Sequence, residues 1–171
     1  STLENSEALD VNQPLALGGI TNGVTNLELT GAFAAIANQG EYIKPKFYSH
    51  IENADGEVLI DNRTPVTTKV LKEGNAWLLT SAMQDVVTKG TGKAVNFSGM
   101  SVAGKTGTTS DNRDVWFVGY TPYYTAGIWA GYDNNHELSS KKGETSYHKK
   151  IWKAVMSRLS AGQSDIGFPK P

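Results

Sequence analysis

The tightest constraint on this chain is how little sequence separates its last three β-rich stretches. Residues 101–109, 115–120 and 124–132 read as strands, and only residues 110–114 and 121–123 lie between them. A parallel neighbour needs a crossover of roughly a dozen residues or more. These connectors are too short for that, so the three strands are expected to form an antiparallel meander.

The rest of the chain supplies helices to cover it. Thr25 and Glu28 stand in capping-box spacing ahead of a small-residue apolar stretch, residues 29–37, which predicts a helix ending at Asn38, Gln39 and Gly40. A second helix is expected over residues 75–88. There Leu79, Ala82, Met83, Val86 and Val87 fall on one face. A third is expected over residues 147–159, with Ile151, Trp152, Val155 and Leu159 on its buried side. Residues 42–52 and 57–61 flank a turn, Asn53, Ala54, Asp55 and Gly56, and predict a hairpin. The fold class is therefore α+β, an antiparallel sheet with helices packed on its faces. Residues 163–171 read as a loose tail.

Bulk properties remove several functions. A net charge of −1 offers no electrostatic footprint for nucleic acid. No apolar run approaches the roughly 18 residues of a membrane span, and no basic-then-apolar signal segment opens the chain. That opening does not fix a compartment, because Ser1 can be an interior residue of a longer protein. The absence of cysteine excludes disulfides, thiolate metal sites and cysteine nucleophiles.

The string GMSVAGKTGTT, residues 99–109, admits two chemistries. Gly99 through Thr106 fits G-x-x-x-x-G-K-[ST], a phosphate-binding loop. That device requires a helix starting at the Lys-Thr pair, whose amides and dipole hold the phosphates. The residues that follow, Gly107 to Asn112, have β-and-turn character without helical periodicity. Nucleotide binding is therefore not expected. As a strand the same residues do more. Thr106 and Thr108 share a face, Gly107 leaves the backbone open to close approach, and Lys105 brings an ammonium alongside. Two hydroxyls, a cation and bare amides suit a peptide carboxylate. A plain edge strand that uses Lys and Thr against aggregation is the alternative.

The surroundings favour the first. GKTGTTSDNRD (residues 104–114) followed by VWFVGYTP (115–122) closely resembles the penicillin-binding transpeptidases, the bifunctional class A group above all. LALGGITNGV (15–24), ELTGAFAA (28–35), ANQG (37–40) and VTKGTG (87–92) are similar to that family too, in its order, across residues 12–160. The resemblance implies a β-lactamase/transpeptidase-like fold and a serine D,D-transpeptidase that cross-links peptidoglycan stem peptides through an acyl-enzyme and is blocked by β-lactams. It implies that Lys105 organises the proton and charge network. Thr106 and Thr108 hydroxyls would bind the terminal carboxylate, with Gly107 and Thr109 lining the same strand, and the Thr108 amide would be one oxyanion-hole donor. No cofactor is implied. Membrane attachment, on the extracytoplasmic side, would come only through a missing N-terminal anchor.

The family also needs Ser-x-x-Lys, which carries the nucleophile, and Ser-x-Asn, both ahead of K-T-G. Neither precedes Lys105. Ser139 with Lys142 and Ser146 with Lys149 fit Ser-x-x-Lys on the wrong side, and Ser110 with Asn112 fits Ser-x-Asn inside a turn. Residues 1–162 thus resemble the C-terminal part of a transpeptidase domain without its nucleophile. The expected partner is an upstream fragment of the same protein. A non-catalytic peptide-binding module of the same fold is the second reading. Other chemistry is not indicated. His50, His136 and His148 lack metal-ligand spacing and are expected at the surface or in the hairpin. Glu41, Glu52, Asp55, Glu57 and Asp61 are scattered over the hairpin. Lys141, Lys142, Lys149, Lys150 and Lys153 suit a solvated face, and Trp116, Phe117, Trp129 and Trp152 suit core packing.

Overall fold

A computed structural model describes residues 13–20 and 23–171. Its helices are α1 (Asn26–Ala37), α2 (Glu73–Thr88) and α3 (Tyr147–Leu159). Its strands are β1 (Glu41–Ile43), β2 (His50–Glu52), β3 (Val58–Asp61), β4 (Thr67–Lys69), β5 (Ala103–Thr108), β6 (Asp114–Tyr120) and β7 (Thr125–Gly131). The meander expected from the short connectors is present. β5, β6 and β7 form an antiparallel sheet in that order.

Pleating sorts the sheet's side chains onto two faces, each packed against helices. On one face Phe117 meets Trp152 of α3 edge-on, with ring centroids 4.9 Å apart, among Val87, Val95, Val102 and Met156. On the other, Ala103 and Tyr120 pack with Met83 of α2 and with Phe33 and Ile36 of α1. The Tyr120 hydroxyl is not stranded there. It lies 2.7 Å from Thr80 Oγ1, and burial pushes its pKa up to about 12. The capping box of α1 is complete, since Thr25 Oγ1 accepts from the Glu28 amide and Glu28 accepts from the Thr25 amide.

Several expectations need correcting. The strand expected over residues 42–52 is two strands, because Pro45 cannot donate to a ladder. β1 pairs with β4, and β2 pairs with β3 around the expected turn at Asn53–Gly56, where Gly56 N donates to Asn53 O. α2 buries Ala76, Thr80, Met83 and Val87, and Leu79 is turned outward. α3 buries His148, Trp152 and Met156, one step round from Ile151, Val155 and Leu159, which are exposed. His148 is therefore a core histidine rather than a surface one. Of the aromatic set, Phe117 and Trp152 are buried as expected, whereas Trp129 is exposed.

Residues 163–171 form no helix or strand, but they are tied down rather than loose. Ser101 Oγ donates to Asp165 Oδ2 at 2.8 Å, Tyr123 Oη donates to Ser164 O, and Phe168 meets Tyr120 edge-on at 5.4 Å. Tyr120, at the end of its core, thus holds the tail through this aromatic contact.

Candidate active site

The strand carrying Lys105, Thr106, Gly107 and Thr108 lies at an edge of the sheet among the described residues. Which of its amides are available follows from register. Thr109 N donates to Asp114 O at 3.2 Å, so Thr109 and Asp114 are a hydrogen-bonded pair. In an antiparallel ladder such pairs alternate. Gly107 opposite Trp116 and Lys105 opposite Val118 are therefore bonded pairs as well. The amides and carbonyls of Gly104, Thr106 and Thr108 then point away from β6, toward the open edge. The register thus turns the Thr108 amide away from its ladder partner Val115.

The strand's side chains divide between its two faces. Thr106 and Thr108 lie on the face of Phe117 and Val115, their partners across the ladder. Lys105 leaves the opposite face, yet its exposed Nζ curls back to donate to Thr106 O at 2.9 Å. The edge strand thus carries an ammonium, two threonine hydroxyls on one face and an amide turned away from β6. Gly107 faces Trp116, whose Cβ would be 3.2 Å from any added methyl, so a larger residue would press on β6. Thr109 is placed otherwise. Its hydroxyl accepts from the Asp114 amide at 3.0 Å and closes the turn between β5 and β6.

The Ser-x-Asn match lies in that turn. Ser110–Asn112 is a single 3-10 turn in which Asp111 and Asn112 have φ of 58° and 51°, the left-handed conformations that short polar residues tolerate. Asn112 O then accepts from Leu138 N. The serines of the later Ser-x-x-Lys matches stand at the N-caps of a 3-10 turn, Ser140–Lys142, and of α3. Ser146 Oγ donates to Gly143 O, and the Ser139 amide donates to Glu144. An open cavity of about 520 Å³ adjoins Thr108 and Thr109, walled by Arg113 and Asp114 on one side and by Leu17 to Ile20 on the other. Lys105 opens no helix, so the phosphate-loop geometry is absent. No group of three or more His, Cys, Asp or Glu among the described residues could hold a metal ion.

The model of the penicillin-binding protein transpeptidase domain matches residues 3–157. The chain belongs to that family. Penicillin-binding protein 1F of Bacillus subtilis is 37% identical over 168 residues, which are 95% of this chain and 23% of that protein. Penicillin-binding protein 1A of Aquifex aeolicus is 38% identical over 92% of this chain and 21% of its own length. The chain therefore spans about a quarter of these relatives. Among solved structures, the penicillin-binding protein PonA1 of Mycobacterium tuberculosis superposes with a TM-score of 0.83 at 30% identity, covering 94% of this chain and 44% of that one. The fold is that of the penicillin-binding transpeptidases, as the resemblance implied. Sequence reading found the K-T-G strand but missed the contact that Thr106 makes outside it. Thr106 Oγ1 lies 2.7 Å from Thr91 Oγ1, in the turn after α2.

Proposed function

We propose that this chain supplies the K-T-G side of a serine D,D-transpeptidase that cross-links peptidoglycan stem peptides and is acylated by β-lactams. A donor peptide lies along the open edge of β5. Thr106 and Thr108 hydroxyls hold its terminal carboxylate, with Gly107 leaving room for the peptide backbone and Thr109 fixing the end of the strand. The Lys105 ammonium supplies positive charge and organises proton transfer. The Thr108 amide stabilises the oxyanion that forms when a serine adds to the penultimate D-Ala carbonyl. Loss of one such donor costs about 3 kcal/mol of transition-state stabilisation in enzymes of this general kind. The acyl group then passes to an amine of a neighbouring strand. Serine, its lysine and the Ser-x-Asn element come from an upstream segment of the same protein, which also carries the membrane anchor on the extracytoplasmic side.

The observation that carries this reading is the Thr108 amide, directed to an open edge beside Lys105 and Thr106. Intact mass spectrometry after incubation with benzylpenicillin tests it. The isolated 171-residue chain should gain no acyl mass. A protein with the complete transpeptidase domain should gain one, and Thr108→Val, which keeps the amide but removes the hydroxyl that holds the carboxylate, should slow its acylation by about tenfold to a hundredfold, the range for a hydrogen bond to a charged group. An adduct on Ser139 or Ser146, or unchanged acylation in the variant, would remove the assignment.

A further inference from the structure

Thr91 stands outside the K-T-G strand, yet its position is tightly built. Gly90 N and Gly92 N both donate to Val86 O, at 3.1 and 3.0 Å, folding the chain back over the last turn of α2. A Cβ at Gly90 would stand 3.0 Å from Val86 O, and one at Gly92 would stand 3.1 Å from it. The glycines on either side of Thr91 thus permit a fold-back that larger residues would crowd. Val87 and Val95, before and after this turn, are buried with Phe117 in the core beneath β5. The turn is clamped at both ends, and at its tip Thr91 Oγ1 meets Thr106 Oγ1 at 2.7 Å.

A threonine hydroxyl has one proton to give and two lone pairs to accept with. If Thr106 donates to Thr91, its proton is spent and it can offer nothing to an anion. If Thr91 donates, the Thr106 proton is free and polarised by the bond it accepts. A carboxylate at the edge of β5 selects the second arrangement. We propose that Thr91 is a positioning residue for carboxylate recognition: its hydroxyl donates to Thr106 Oγ1 and so commits the Thr106 proton to the carboxylate of a stem peptide or β-lactam. This rests on the reading of Thr106 as a carboxylate ligand.

The experiment measures second-order acylation constants for benzylpenicillin and for its methyl ester, which lacks the anion. It uses a protein with the complete transpeptidase domain. Thr91→Val should slow acylation by benzylpenicillin about tenfold, the worth of one hydrogen bond of roughly 1.4 kcal/mol. The ester should react with Thr91→Val as it does with the parent, and Thr91→Ser should restore the acid's rate. In a Thr106→Ala background, Thr91→Val should add nothing. Where Thr91→Val fails to fold, Thr91→Ala carries the same expectations. An unchanged acid rate in Thr91→Val overturns the proposal, as does an equal loss for acid and ester or a loss that persists beside Thr106→Ala. Should Thr106→Ala itself leave the acid rate unchanged, the carboxylate reading falls together with this one.

Discussion

Gly127 meets α1 with bare backbone. Asn26 Nδ2 donates to Gly127 O at 3.1 Å, and Thr30 Oγ1 donates to Asn26 Oδ1 at 3.1 Å. A Cβ on residue 127 would sit on both of those side-chain oxygens. Gly127→Ala is expected to destabilise the fold by about 1–3 kcal/mol, as overpacking does elsewhere, and urea unfolding measures it. His148 governs a different variable. Burial, with Lys149 adding to it, pushes the His148 pKa from 6.5 down to about 4, and its Nδ1 has no partner. The folded chain therefore keeps the ring neutral where the unfolded chain protonates it. This contribution to stability is intact above pH 6.5 and declines as the pH falls from 6.5 toward about 4. Denaturation midpoints across that window should flatten in His148→Phe. The same slope in both proteins would assign the acid loss to other groups.

Among the elements, the docked tail makes the plainest prediction. Phe168→Ala removes the edge contact with Tyr120 and should lower stability by about 1 kcal/mol beyond the lost burial. Calorimetry that found no shift would return residues 163–171 to the status of a loose end. Sequence pattern failed there because Ile166 and Phe168, two apolar residues among polar and turn residues, are too few to set a period. It succeeded where information is local: the capping box at Thr25 and the turn at Asn53–Gly56 each lie within a few adjacent residues, and the β5–β6–β7 meander follows from two short connectors. Helix facing was harder. α3 carries apolar residues on adjoining stripes, and which stripe turns inward depends on where Phe117 stands. The candidate site divides the same way. Lys105, Thr106 and Gly107 are readable as a motif, but the freedom of the Thr108 amide is a property of strand pairing. Thr91 matters only once a turn has met a strand fifteen positions later.

Across the whole molecule, apolar surface is left over. Leu78 and Leu79 of α2, Ile151, Val155 and Leu159 of α3, and Trp129 of β7 are all exposed. β5 and β7 are the two edges of the central sheet among the described residues. An unpaired edge beside exposed apolar groups invites association. The isolated 171-residue chain should therefore self-associate with rising concentration in sedimentation, and Ile151→Glu with Val155→Lys should weaken that. A chain that stays monomeric would show that these faces need no cover. The bond from Asn26 to Gly127 carries a kinetic consequence as well. It joins residues 101 positions apart, so α1 leaves the ribosome long before the strand it docks on exists. At about 5–20 residues per second that interval is roughly 5–20 s. A twelve-residue helix is too short to persist alone in water. The nascent chain therefore carries α1 without its dock on β7 for that interval, in which a holding chaperone or a protease can reach it.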